Sequence, residues 1–461
     1  MRPLHLALLL SAGSVSLPGV LGWGHEIVAT IAQIHLHPSV FPTLCSILNY
    51  TSPDPTAPPC HLAPIAAWAD KVRYHMRWSA PLHYVGALDD HPSQTCAFPG
   101  QRGWAGAKGH NVLGAVRNVT GLLEDYVSDA HGSAVRHDAA NEALKFLVHF
   151  LGDLHMPLHL TGRDRGGNSV KVKFGERVTS LHSLWDGLLI AKAIRETPNN
   201  YTRPLPSRQI EHSLRGTIYD SYVRRIMWEG VLSSWKDEIP DWLSCPAPSP
   251  PSPSPPPPPP APSSALTSIW HTLTRLLLPS HLPDTTTPSD ETETDDALLC
   301  PHAWAAPIHA LNCELVWPRA LDEPPYTYTS RLPLPLPAFL VRLLPRILPH
   351  SFFKPPSMED ETPTHTHTHA DTADTADTGL LQLDTPEYAG LIAERRVVEK
   401  LLAQAGVRLA ATLNWLFADP SASVEMWGPG PGVGVSQQAL RMGMSLGVAL
   451  EGQGQGQGQG R

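Results

Sequence analysis

The sequence predicts a mainly α-helical protein with one small β-hairpin, interrupted by two low-complexity insertions. Three observations predict it. Apolar residues recur at three and four spacing in "HEIVATIAQIHL", "NEALKFLVHFLGDLH", "LHSLWDGLLIAKAI" and "SLRGTIYDSYVRRIMWEGVL". One short stretch, "NSVKVKF", alternates as a hairpin arm does. Finally, 12 of the 17 residues from Pro246 to Pro262 are proline, an extended polyproline tract that cannot contribute to a core.

Taken in chain order, residues 1–22 read as a secretory signal. Arg2 supplies the positive charge, "LHLALLL" the apolar region, and small residues lead to Gly22. Cleavage there makes Trp23 the first residue of the mature chain. Residues 23–245 form the first part of the core. Residues 246–297 are the proline-rich insertion, which ends in the acidic "PDTTTPSDETETDD". Globular texture returns over 298–334 with "LLCPHAWAAPIHALNCELVW". A second insertion spans 335–384, with Leu-Pro repeats, "THTHTH" and "ADTADTADT". Residues 385–418, "PEYAGLIAERRVVEKLLAQAGVRLAATLNWLF" and its end, read as one or two long helices. The Gly-rich tail, 419–461, is a linker-like extension.

No segment after the signal holds about 18 uninterrupted apolar residues, so no stable membrane association is expected. The net charge of −9 excludes diffuse electrostatic capture of duplex nucleic acid, though not a nucleic acid held by metal ions. Six cysteines on an oxidising route allow three disulfides in 15 connectivities. Sequons at Asn49, Asn118 and Asn200 fit the same route. The expected location is secreted, or the lumen of the secretory pathway or vacuole.

The chemistry-bearing stretch is "FLVHFLGDLHMPLH", Phe146 to His159. His149 and Asp153 stand four apart and share one helix face. Pro157 ends or bends that helix and turns His159 toward the same region. "LHSLWDG" repeats the spacing with His182 and Asp186. Each pair offers an imidazole nitrogen and a carboxylate oxygen, which suit zinc.

The segments "AAWADKVR", "SAPLHYV", "ALKFLVHFLGDLHMPLH", "GGNSVKVKF" and "LHSLWD" resemble the zinc-dependent, single-strand-specific nucleases, in family order. These are the fungal single-strand nucleases and the plant bifunctional or class I nucleases, relatives of zinc phospholipase C. "AQAGVRLAATLNWLF" resembles the C-terminal helix of the plant branch. The resemblance implies a phospholipase C/nuclease-like helical domain and a trinuclear zinc site. Asp70, His83, His149 and Asp153 match the ligands of one zinc. Asp153 bridges to a second, completed by His25 and by the α-amine and carbonyl of Trp23. His159, His182 and Asp186 match the third. His155 lies outside this set and reads as a supporting or surface histidine. "WGHE" sets Trp23 only two positions before His25, where the family has five; if this disrupts one site, two zincs remain.

The implied activity is hydrolysis of phosphodiester bonds in single-stranded DNA and RNA to 5′-phosphorylated products, with 3′-nucleotidase action on 3′-nucleotides. Asp70 orients the nucleophile, Asp153 bridges the metals and Arg73 stabilises the phosphoryl charge. Tyr84 matches an aromatic that stacks on the base, and Asn168, after Gly166 and Gly167, a loop beside the site. Two positions beyond Tyr84 the family has an acid that contacts the base edge; here stands Gly86, so base preference does not carry over. The disulfides implied are Cys96–Cys313 and Cys245–Cys300, with Cys45–Cys60 the remaining pair. A monomer is expected. A phospholipase C-like phosphodiesterase and an inactive secreted glycoprotein are the alternatives.

Overall fold

The computed structural model describes residues 23–128, 136–245, 295–296, 298–329 and 379–419. The expected signal, most of the first insertion, residues 335–378 of the second and nearly all of the tail lie outside them.

Five longer helices frame the core: α1 (Trp23–Ile34), α2 (Val112–Ser128), α3 (His137–Asp153), α4 (Pro301–Leu311) and α5 (Val397–Phe417). A helix that is apolar nearly all round must be central, and α5 is buried along almost its whole length. It packs on α1 at Gly406, where a Cβ would meet Ile31 Cγ2 at 2.5 Å, so the glycine sets how closely the two backbones approach. Arg396 adopts φ 49° just ahead of α5, separating it from a short helix, Leu391–Glu394. The C-terminal stretch is therefore two helices. The side chain of Asn414, on α5, accepts from His37 N (2.8 Å) and donates to the His35 carbonyl (3.0 Å), satisfying the buried turn after α1.

The two strands β1 (Lys171–Phe174) and β2 (Arg177–Ser180) pair antiparallel, with Lys171 opposite Ser180 and Phe174 opposite Arg177. Lys173 also exchanges 2.8 Å backbone bonds with Leu381 and Leu383. The packed core thus includes residues ahead of Thr385, inside the span read from sequence as insertion. The acidic end of the first insertion is likewise built in: Asp295 accepts from His302 N and Ala303 N at the start of α4.

Disulfides join Cys45 to Cys60, Cys96 to Cys313 and Cys245 to Cys300, the pairs the resemblance implies. Asn49, Asn118 and Asn200 are all exposed. Among the described residues no helix is long and apolar enough to cross a membrane.

Candidate metal centre

The end of α3 is the hub. His149 and Asp153 lie one turn apart and are fully buried. The start of α1 brings in His25, whose ring stacks on His149 at 3.8 Å and 13° and whose Nε2 lies 3.5 Å from Asp153 Oδ1. A one-turn helix, Trp68–Val72, carries Asp70. The 3₁₀ helix Arg77–His83 ends on His83, with Nδ1 2.9 Å from Asp153 Oδ2. His149 Nε2 is 3.3 Å from the same oxygen and 3.8 Å from Asp70 Oδ1.

After α3, Pro157 opens the 3₁₀ turn Pro157–Leu160 and His159 swings back until Nδ1 is 3.1 Å from Asp153 Oδ1. His182 and Asp186 follow the hairpin, across the junction of a short helix with the π-helical turn Leu184–Leu188. The ring of His182 stacks on His159 at 5.0 Å. Three groups thus have ligand atoms within 4.8 Å of one another: His25, His149 and Asp153; Asp70, His83 and His149; His159, His182 and Asp186.

Backbone carbonyls fix the imidazoles. A carbonyl only accepts, so Nδ1 must be the donor in His149 to Ala66 O (2.7 Å), His159 to His83 O (2.8 Å) and His182 to Gly166 O (2.8 Å). Each ring then keeps its Nε2 lone pair for a cation. Nε2 of His83 and His149, Nδ1 of His25 and Oδ1 of Asp153 are buried without any hydrogen-bond partner. Such groups are costly to bury alone, and this donor set of imidazole nitrogens and carboxylate oxygens fits zinc.

The electrostatics agree. Burial, then His25, lowers His149 to about 4, so it is a neutral ligand. Burial works against ionisation of Asp153, yet His149 and His159 hold its carboxyl well below the usual carboxylate range. Burial opposes a proton on His159, but Asp153 raises it to about 9; a cation bound there would displace that proton. His182 is lowered by burial and by His159.

Gly152 and Arg163 are not read as site residues from the sequence, and the structure adds what the loop of Gly166 and Gly167 contributes. A Cβ at Gly152 would lie 2.3 Å from His25 Nδ1, so the missing side chain makes the space for that ring. Gly166 (φ +61°) and Gly167 (φ +75°) let the loop approach closely: a Cβ at Gly166 would meet the Leu158 carbonyl at 2.5 Å. The same loop is held by Arg163, buried over the Trp317 ring and paired with Asp322. Gly152 could have been suspected from its place inside a helix, where glycine is costly.

Trp23 opens α1 and packs, half-buried, against the core. Arg73 Nη1 lies 3.5 Å from Asp70 Oδ1, and Tyr84, beside His83, is 52 % exposed. Asn168 is exposed, its amide donating to the Arg165 carbonyl. At Gly86 a Cβ would meet Gly162 N at 2.6 Å, so no side chain fits. His155 donates from Nδ1 to the Leu151 carbonyl and accepts from Arg408 Nη1, both at 2.7 Å, which ties α3 to α5. A fourth group, Asp90, Cys96 and His309, is no thiolate site because Cys96 is bonded to Cys313; Asp90 there accepts from His309 at 3.0 Å.

The profile of the S1/P1 Nuclease family matches residues 22–245. Endonuclease 2 of Arabidopsis thaliana is 31% identical over 235 residues, 50% of this chain and 70% of that protein. Endonuclease 1 of the same plant is 31% identical over 241 residues, 50% of this chain and 71% of that protein. Nuclease S1 of Aspergillus oryzae is 36% identical over 183 residues, 38% of this chain and 58% of that protein.

Proposed function

Because the chain belongs to the S1/P1 nuclease family, we propose that it is a secreted zinc-dependent endonuclease. It hydrolyses single-stranded DNA and RNA to 5′-phosphorylated products and acts on 3′-nucleotides. The observation that carries this reading is the buried, unpartnered donor atoms of His25, His83, His149 and Asp153, gathered at the end of α3. Three zinc ions are proposed: at Asp70, His83, His149 and Asp153; at His25, Asp153 and Trp23; and at His159, His182 and Asp186. Bound zinc supplies Lewis acidity, acidifying water near neutral pH and neutralising phosphoryl charge.

The chain's own groups do the rest. Asp70, the least buried of the carboxylates around His83 and His149, is open enough to accept a hydrogen bond from the attacking water and aim it. Arg73, half-exposed beside it, offers a fixed guanidinium to phosphate oxygens. The exposed ring of Tyr84 takes an unpaired base, which leaves its stack at least cost. Asn168 lies on the loop that fixes His182. The three disulfides support an oxidising, secretory route.

The test combines zinc quantification and N-terminal sequencing of the secreted protein with parallel assays on single-stranded DNA and phosphatidylcholine. Near three zincs per chain behind a free Trp23, with DNA cleavage abolished in Asp153→Asn, is expected. Two zincs would remove Trp23 from the ligands; lipid cleavage without DNA cleavage would overturn the nuclease reading.

A further inference from the structure

Between Asp70 and His83 the chain carries side chains that the chemistry above leaves unused. Tyr74 is 70 % exposed and Trp78 is 56 % exposed. Neither is loose. One side of Trp78 rests on Phe146 of α3, with ring centroids 5.8 Å apart. Phe146 stacks on Phe150 at 5.1 Å, and Phe150 meets the candidate ligand His83 edge-on at 5.2 Å. A continuous run of rings therefore leads from the metal centre to the surface and ends on a half-exposed indole. Arg73 lies over the Tyr74 ring, 5.3 Å from its centroid.

The segment that carries these rings is basic. Lys71, Arg73 and Arg77 fall within eight residues whose one acid is Asp70, in a chain of net charge −9. Among the described residues no carboxylate pairs with Lys71 or Arg77. Trp78 and His83 sit near opposite ends of one 3₁₀ helix, roughly 10 Å apart at about 2 Å per residue. That distance suits a nucleotide next to the one engaged at the metals.

We infer that Tyr74, Arg77 and Trp78 form a second stacking platform, which takes a further base and phosphate of the same single strand. The inference rests on the nuclease reading above. Its physical basis is that every base offers a π face to an anchored ring, while unpaired guanidinium and ammonium groups follow the backbone phosphates.

The full-length zinc-loaded protein decides it by two measurements. One is the ratio of kcat/KM for a single-stranded decanucleotide to that for a dinucleotide. The other is anisotropy of a labelled phosphorothioate decanucleotide, which reports binding without cleavage. Trp78→Ala lowers the ratio about tenfold, through KM, and raises the decanucleotide Kd by the same factor; Trp78→Phe restores most of both. Tyr74→Ala, a change at a more exposed ring, acts in the same direction if the first variant folds poorly. Arg77→Gln makes the salt dependence of log K shallower by about 0.7. Ile218→Ala, exposed elsewhere, keeps the wild-type ratio. An unchanged ratio in both aromatic variants, or an equal loss on the two substrates, overturns the inference. If the wild-type protein cleaves no single strand, the nuclease reading fails, and the anisotropy arm still decides the platform.

Discussion

Gly152→Ala tests the metal centre with a single methyl group. The added Cβ would stand 2.3 Å from His25 Nδ1 and 2.8 Å from Cε1, and real contacts keep at least 3.0 Å. The ring must therefore move about 0.7 Å, and overpacking of this kind costs about 1–3 kcal/mol. It cannot move freely. It already stacks on His149 at 3.8 Å, with Nε2 3.5 Å from Asp153 Oδ1. A misplacement of about 1 Å in a catalytic constellation costs on the order of a hundredfold, so kcat/KM on single-stranded DNA should fall ten- to a hundredfold. Zinc content, measured by mass spectrometry on the folded protein, should fall by about one per chain. If the methyl acts through the ring, Gly152→Ala combined with His25→Ala is no worse than His25→Ala alone. Full zinc content with kcat/KM within about twofold of wild type would refute the reasoning.

Four further outcomes are expected. Asp322→Ala takes from the buried Arg163 its closest carboxylate, leaving Asp164 3.5 Å from Nε, and should destabilise by roughly 3 kcal/mol in urea melts. Burial opposes the ionised Asp322 but Arg163 holds its pKa below 3.8; the folded state thus binds fewer protons than the unfolded one, and this stability is fully present above pH 3.8 and lost as pH falls through the lowered value. Arg408→Met removes the donor to His155 Nε2 and the 2.8 Å bond to the Trp242 carbonyl, at about 2 kcal/mol by the same melts. Cys300→Ser opens a link with a sequence separation of 55, worth about 4 kcal/mol on the chain-entropy model, and non-reducing peptide mapping should then find Cys245 unpaired. Chelation should abolish cleavage and lower the melting temperature, because it leaves His25, His83, His149 and Asp153 buried with unpartnered atoms.

What the sequence made legible is what side-chain type and spacing encode. The helical class followed from apolar periodicity, and the His149–Asp153 and His182–Asp186 pairs from a repeated four-residue step. The second pair spans the entry to a π turn, which periodicity alone does not distinguish from an α turn. Illegible were the contributions made by absence or by backbone. Gly152 acts by having no side chain, while Ala66 and Gly166 act through carbonyls that every residue carries. Nor could local pattern anticipate that Leu381 and Leu383 would add backbone bonds to β1, or that Asp322 would hold the loop of Arg163 from 159 positions away. Such pairings depend on the folded chain path.

The contact between Gly86 and Gly162 has an evolutionary consequence. A Cβ at residue 86 would meet Gly162 N at 2.6 Å, so position 86 cannot acquire a side chain while the backbone at 162 stays put, whereas a Cβ at 162 would meet Gly86 Cα at an ordinary 3.7 Å. A lineage seeking a new base-reading group at residue 86 would have to shift a neighbouring loop in the same step. Selection therefore finds easier routes to altered sequence preference at open positions such as Tyr84, and directed evolution should begin there.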